Sequence, residues 1–331
     1  MINDATLTSY VARIRLGDRV ALAQAMTLLE SNHPRHQALS ARLLDTLMPD
    51  TGNAIRLGIT GTPGAGKSTF LDAFGMLLVG EGHRVAVIAV DPSSPISGGS
   101  ILGDKTRMSA LSRSSDAFIR PVPSGGYAGG TSQRARELIL LAEAAGYDVV
   151  MVETVGVGQS ETEVANMVDC FISLQIAGGG DELQGIKKGI MEMADIIVIN
   201  KDDGDNRQNV TATRQMYQSA LHILRRKYPQ WQPQVLSCSA QEKRGIDAVW
   251  QSINAFYATL SRSGELATLR WRQATAWLHQ QSEDALLRLV FTQPDFADAY
   301  QQTEQAVAQN LLSPRAGMAR IQQFMQRRFH I

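Results

Sequence analysis

This 331-residue sequence has little cysteine, little histidine, no charge imbalance and no long apolar run. Its 32 basic residues match 32 acidic ones, so neither a nucleic-acid footprint nor a polybasic membrane face is expected. No apolar stretch approaches the roughly 18 to 20 residues of a membrane helix. The opening MINDATLTSY also lacks the basic start and apolar stretch of a secretory signal. The expected location is the cytoplasm, where Cys170 and Cys238 are expected as free thiols. Of six histidines only His33 and His36 are close together, and no cysteine or carboxylate cluster accompanies them. No metal centre is expected there.

The residues that carry chemistry lie in short motifs. In GITGTPGAGKSTF, residues 58–70, Gly61, Gly66, Lys67 and Ser68 fall at the G-x-x-x-x-G-K-[ST] spacing of a phosphate-binding loop. Backbone N–H groups close around a phosphate only where no Cβ intervenes, which Gly61, Gly64 and Gly66 allow. The candidate nucleotide contacts are Gly61, Thr62, Pro63, Gly64, Ala65, Gly66, Lys67, Ser68 and Thr69. Lys67 is placed to reach the β- and γ-phosphates, and Ser68 to ligate Mg²⁺. The apolar run from Ile55 precedes the loop as a strand and a helix follows, so its N-terminus adds an anion site.

Residues 3 to 48 show helical periodicity in three pieces, divided at Gly17-Asp18 and at Asn32-His33-Pro34. From residue 55, short β-branched runs alternate with helical stretches: 55–59, 84–90, 117–120, 149–153, 169–175, 196–200 and 234–237. Strands apolar on both faces, joined by helices, imply an α/β fold whose mostly parallel sheet is flanked by helices. The expected division is an N-terminal helical extension over 1–50, a P-loop NTPase domain over 51–262 and a C-terminal helical arm over 263–331. The Gly/Ser/Pro-rich segments 93–104 and 121–131 exceed routine connections and read as ligand-responsive loops. In the arm, Trp271, Ala274, Leu278, Ala285 and Leu289 fall on one helical face, for the chain's own core or for a subunit interface.

A second motif addresses the base. The strand ADIIVINKDD, residues 194–203, ends in Asn200-Lys201-x-Asp203. Guanine presents two donors that one carboxylate at Asp203 can accept, and adenine has no such pair, so GTP is expected over ATP. Lys201 would lie over the base plane and Asn200 would brace the loops. In SCSAQEKRGI, residues 237–246, Ser239, Ala240 and Gln241 are candidates for the guanine carbonyl, although an ordinary strand-to-helix turn has the same look.

Between the two lies DVVMVETVGVGQ, residues 148–159. A buried strand ending in a carboxylate, with a glycine three residues on, suits Mg²⁺ and γ-phosphate sensing and marks Glu153 and Gly156. Val157 stands where Ras-like enzymes carry a water-orienting glutamine, so slow intrinsic hydrolysis is expected, with Gln159 an alternative at a different offset. Asp91, at a strand end, is a candidate for Mg²⁺ or its waters, and Asp104 for a switch contact. A helix cap or a solvated loop acid is the alternative reading for each, and it weighs less against Asp91 than against Asp104.

Together GTPGAGKST, AVDPSSPISGGSILGDKTRM, ETVGVGQSE, LQIAGGGDELQGIKKGIMEMADIIVINKDD and SCSAQEKRGI resemble the MeaB and ArgK subfamily of SIMIBI-class P-loop GTPases, which includes the human methylmalonic aciduria type A protein. The similarity covers nearly the whole chain. It implies a GTP/GDP-binding, Mg²⁺-dependent GTPase that is a chaperone for an adenosylcobalamin-dependent methylmalonyl-CoA mutase, gating cofactor loading, protection or reactivation. It also implies a homodimer through the C-terminal helices, with Lys67, Asp104 and Glu153 in catalysis. Ser68, Asp91, Asp104 and Glu153 map to Mg²⁺ and switch positions. Asp181, Glu182, Lys187 and Lys188 fall on a mobile loop of that subfamily. An alternative is a P-loop kinase acting on a binding protein for lysine, arginine and ornithine transport, a label that members of the subfamily have carried. The guanine motif and the lack of an acceptor-binding insert oppose it. A nickel-type metal-insertion GTPase would need His- or Cys-rich ligands that are missing here.

Overall fold

The computed structural model describes residues 6–91, 108–123, 130–154, 159–177 and 188–329. Expectations for Asp104, Gly156, Val157, Asp181, Glu182 and Lys187 lie outside the described residues, as do the side chains of Asp91, Gln159 and Lys188. The chain divides into two compact units, Met1–Arg270 and Trp271–Ile331.

In the first unit seven strands form one sheet: β1 (Ile55–Gly61), β2 (Val85–Asp91), β3 (Ala117–Pro123), β4 (Val149–Thr154), β5 (Cys170–Ile176), β6 (Ile196–Asn200) and β7 (Gln234–Ser237). Their order is β3-β2-β4-β1-β5-β6-β7, and every paired neighbour is parallel. Parallel strands need crossovers, and helices supply them: α4 (Lys67–Gly80), α5 (Gly130–Ala144), α6 (Gln159–Ala165), α7 (Lys188–Met193) and α8 (Arg207–Ile223). With α9 (Ile246–Ser263) they cover both faces of the sheet.

Alternation along each strand builds the two cores. On β2, Val85 and Val87 face the cluster containing Phe70, Phe74 and Phe256, while Ala86, Ile88 and Val90 face the one containing Leu138, Tyr147 and Phe171. The N-terminal helices α1 (Leu7–Arg15), α2 (Arg19–Leu29) and α3 (Pro34–Leu47) belong to this second core, through Ile14, Leu22, Met26 and Leu43. They share the sheet's own cluster rather than forming a separate one. Asp18 caps α2 by accepting from Val20 and Ala21, and His33 caps α3 by accepting from the Arg35 N–H. The close histidine pair is thus part of a helix start.

The amino edge of the sheet is held by charge. Asp169, just before β5, is fully buried and accepts from Arg270 Nε and Nη2 at 2.8 Å each, from the Arg56 N–H at 3.0 Å and from the Tyr257 hydroxyl. Arg56 Nε and Nη2 in turn fork onto Glu143 at 2.6 and 2.9 Å. Arg270 also donates to the carbonyls of Gly52 and Ala54. It sits in the first turns of α10 (Glu265–Phe291).

In the second unit α11 (Pro294–Ala308) and α12 (Pro314–Phe329) enclose Phe296, whose ring meets those of Phe291 at 5.2 Å and Phe324 at 6.1 Å. Trp271, Leu278 and Leu289 of α10 are 67%, 67% and 63% exposed. Among the described residues no helix is long and apolar enough to cross a membrane.

Removing one partner of a buried ion pair strands the other. Arg270→Ala should therefore destabilise the fold by about 3 kcal/mol, and Arg270→Lys, which keeps the charge but loses the fork, by less. Urea unfolding followed by tryptophan fluorescence measures both, and equal stability of wild type and Arg270→Ala would contradict the role given to the cluster.

Candidate functional site

The chain runs outward from β1 to β2 and β3, returns to β4 and then crosses β1 to reach β5, so the order reverses beside β1. Ligands of doubly wound sheets bind at the carboxyl ends of the strands at such a reversal, and here the loop Gly61–Gly66 opens there. Gly64 and Gly66 have φ of +82° and +80°, a region that side chains rarely adopt. At Gly61 a Cβ would meet the Leu174 carbonyl oxygen at 2.4 Å, and at Gly66 it would meet Asn200 Nδ2 at 2.9 Å. Only glycine fits these two positions, and the cradle they leave suits a phosphate.

Lys67 opens α4, and its Nζ donates to the Gly61 carbonyl at 2.8 Å and to that of Thr62 at 3.5 Å. Burial pushes the Lys67 ammonium below its ordinary pKa, opposed by the charges of Glu153 and Glu161. Ser68 is half-buried and Thr69 exposed in the same first turn, while Ala65 is buried and Pro63 and Gly64 face outward. The Thr62 hydroxyl is buried without a hydrogen-bond partner among the described residues. Glu153, 8% exposed, pairs in register with Ile59 of β1 and Ala89 of β2. Asp91 ends β2 two residues beyond Ala89, so its backbone lies at the same edge.

Asn200, at the end of β6, joins the phosphate loop to the segment after β7. Its Nδ2 donates to the Ala65 carbonyl at 2.8 Å, and its Oδ1 accepts from the Ala240 N–H at 3.1 Å and from the Cys238 thiol at 3.5 Å. Burial, with the charges of Asp202 and Asp203 adding to it, pushes the Cys238 pKa up to about 12, so the thiol stays a neutral donor. Next to Asn200, Lys201 is exposed with φ of 62°, a strained conformation for a side-chain-bearing residue. The Asn206 amide donates to its carbonyl at 3.0 Å.

Asp203 accepts from Ser239 Oγ at 2.5 Å, and Ser239 Oγ accepts from the Glu242 N–H at 3.0 Å. The serine is fully buried and therefore aims the carboxylate, a role that its sequence position as a backbone contact did not suggest. Gln241 is exposed beside it. The structure thus brings together Gly61–Thr69, Glu153, Asn200, Lys201, Asp203, Ser239, Ala240 and Gln241 around one sheet edge. Sequence reasoning missed Thr60 and Glu161, a buried pair that no local signal marks, since Glu161 lies in the polar run Gln159-Ser160-Glu161-Thr162-Glu163. Among the described residues no group of three His, Cys, Asp or Glu could hold a metal ion, and the Asp91 side chain and Asp104 fall outside that set.

A family model described as "Methylmalonyl Co-A mutase-associated GTPase MeaB" matches residues 22–295. The GTPase ArgK of Escherichia coli (strain K12) is 66% identical over 329 residues, covering 99% of this chain and 99% of that protein. A "Methylmalonic aciduria type A homolog, mitochondrial" of Mus musculus is 44% identical over 308 residues, covering 90% of this chain and 74% of that protein. The solved structure described as "Crystal structure of LAO/AO transport system kinase" superposes with a TM-score of 0.80 at 60% identity, covering 98% of this chain and 99% of that one.

Hydrogen bonds to a charged group contribute about 1.5–3 kcal/mol, or about ten- to hundredfold in affinity. Asp203→Asn should reduce the preference for GTP over ATP by that factor. Ser239→Ala, which releases the carboxylate without removing it, should reduce it by less. Titration with both nucleotides checks the pair, and a wild-type preference in Asp203→Asn would contradict the assignment.

Proposed function

This chain belongs to the MeaB family of methylmalonyl-CoA mutase-associated GTPases, and from that premise we propose that its GTP turnover times the loading, protection or reactivation of an adenosylcobalamin-dependent methylmalonyl-CoA mutase. The observation that carries the reading is the Asn200 bridge, which ties a phosphate cradle to a carboxylate aimed by Ser239. Such an arrangement favours guanine at one end and a triphosphate at the other.

In this reading the nucleotide draws Lys67 Nζ from the Gly61 carbonyl onto its β- and γ-oxygens. Asp203 accepts from the two donors of guanine, Lys201 covers the base plane, and Ala240 and Gln241 approach the guanine carbonyl. Ser68, Glu153, Asp91 and Asp104 would hold Mg²⁺, which when bound neutralises charge on the phosphate oxygens. Glu153 is nearly buried between β1 and β2, so any water it holds is shielded from bulk solvent. Nucleotide-dependent rearrangement of the segments around Asp91–Asp104 and Glu153–Gln159 would change the surface offered to the mutase. The exposed apolar stripe of Trp271, Leu278 and Leu289 supports a homodimer through the C-terminal helices. A cytoplasmic location belongs to the same reading.

A second reading follows from the solved structure at 60% identity, which carries the name of a transport system kinase. It would place a protein acceptor at the γ-phosphate in place of water. Measuring phosphate release from GTP, with ATP as control, separates the two. We expect slow, GTP-selective release that rises severalfold when methylmalonyl-CoA mutase is added. Transfer of labelled phosphate to a basic-amino-acid binding protein would establish the kinase instead. A mutase that alters neither rate nor nucleotide affinity would remove the chaperone role and leave the GTPase.

A further inference from the structure

Thr60 and Glu161 form a buried pair to which the nucleotide site, as described, gives no role. Thr60 Oγ1 donates to Glu161 Oε1 at 3.0 Å, and the two residues are 0% and 3% exposed. Their meeting follows from local geometry. Gly58 and Thr60 are two residues apart on β1 and so project from one face, while Glu161 and Val164 are three apart on α6 and share one side of the helix. A Cβ on Gly58 would meet Val168 at 2.8 Å, Phe171 at 2.9 Å and Val164 at 3.0 Å. Because it has none, α6 rests directly on the strand, and Glu161 is carried against Thr60.

A buried carboxylate is unfavourable unless it is paired or hydrogen-bonded. The chain shows where that charge acts. Thr60 immediately precedes Gly61, whose carbonyl accepts from Lys67 Nζ at 2.8 Å. Among the described residues, the charges of Glu153 and, after it, Glu161 favour the charged form of that ammonium.

We propose that Glu161 is a positioning residue for Lys67: through Thr60 it fixes the end of β1 that holds the lysine, and its charge competes with the nucleotide's phosphates for the ammonium. Helix α6 follows β4 in the chain after residues 155–158, so a shift of α6 would carry Glu161 off Thr60 and free Lys67. Lysine release and helix position are then one event. The inference rests on the reading of Lys67 as the phosphate-binding lysine.

The test uses the full chain, with GDP titration, GTP turnover and thermal unfolding. Glu161→Gln keeps an oxygen acceptor for Thr60 and removes the charge, so GDP should bind about three- to tenfold more tightly with little change in melting temperature. A role in packing alone predicts unchanged or weaker binding, and either result in a stable Glu161→Gln variant overturns the proposal. Thr60→Val should lower turnover severalfold and Thr60→Ser restore it. Should Glu161→Gln not fold, equal turnover of wild type, Thr60→Val and Thr60→Ser overturns the proposal by itself. Lys67→Ala separates the two readings. If it loses GDP affinity while Glu161→Gln changes nothing, only the positioning role falls; if it binds GDP normally, the phosphate-loop reading falls too.

Discussion

One amide side chain sets the geometry on which the site depends. Asn200 is 2% exposed, and it reaches the Ala65 carbonyl, the Ala240 N–H and the Cys238 thiol together. It can approach the phosphate loop only because residue 66 lacks a Cβ, which would stand 2.9 Å from its nitrogen. The spacing between the Gly61–Gly66 loop and the segment that carries Ser239 and Ala240 is therefore set by a buried hydrogen-bond network, and such networks resist partial loosening because each freed partner is left unsatisfied in a low dielectric. The two ends of the site are thereby held at a set separation.

The two edges of the sheet use polar groups differently. At the amino edge Arg56, Glu143, Asp169 and Arg270 bond one another and nearby backbone, and this cluster anchors the start of α10. At the carboxyl edge some polar groups are less fully engaged: a lysine resting on carbonyls, a threonine hydroxyl without a partner among the described residues and a lysine in a left-handed conformation. Stability is concentrated at one end and binding capacity at the other, a division that a parallel sheet permits because all its strands point the same way.

Much of this was legible in the chain. The seven strands stand where β-branched runs alternate with helical stretches, and Gly61–Ser68 and Asn200–Asp203 occupy the strand ends that their motifs require. Local patterns fail where contacts are distant. Residues 56, 143, 169 and 270 carry no shared motif, and only the fold brings them together. Periodicity marked the first three helices but not that they complete the core of the sheet, because an amphipathic face does not name its partner. Ser239 looked like a turn residue, since hydroxyls in turns usually bond their own backbone, and its bond to Asp203 spans 36 positions.

The strand order has a consequence for how the protein is made. β1, which ends in the phosphate loop, is the first of the seven strands to be synthesised, yet its two neighbours are β4 and β5. It must wait for residues 149–154 before one edge is paired and for 170–176 before the other is. During translation an apolar strand with two open edges therefore persists while almost a hundred further residues emerge. A nascent chain stalled before β4 would present both edges of β1, and one stalled before β5 would still present one, to any partner with a free sheet edge.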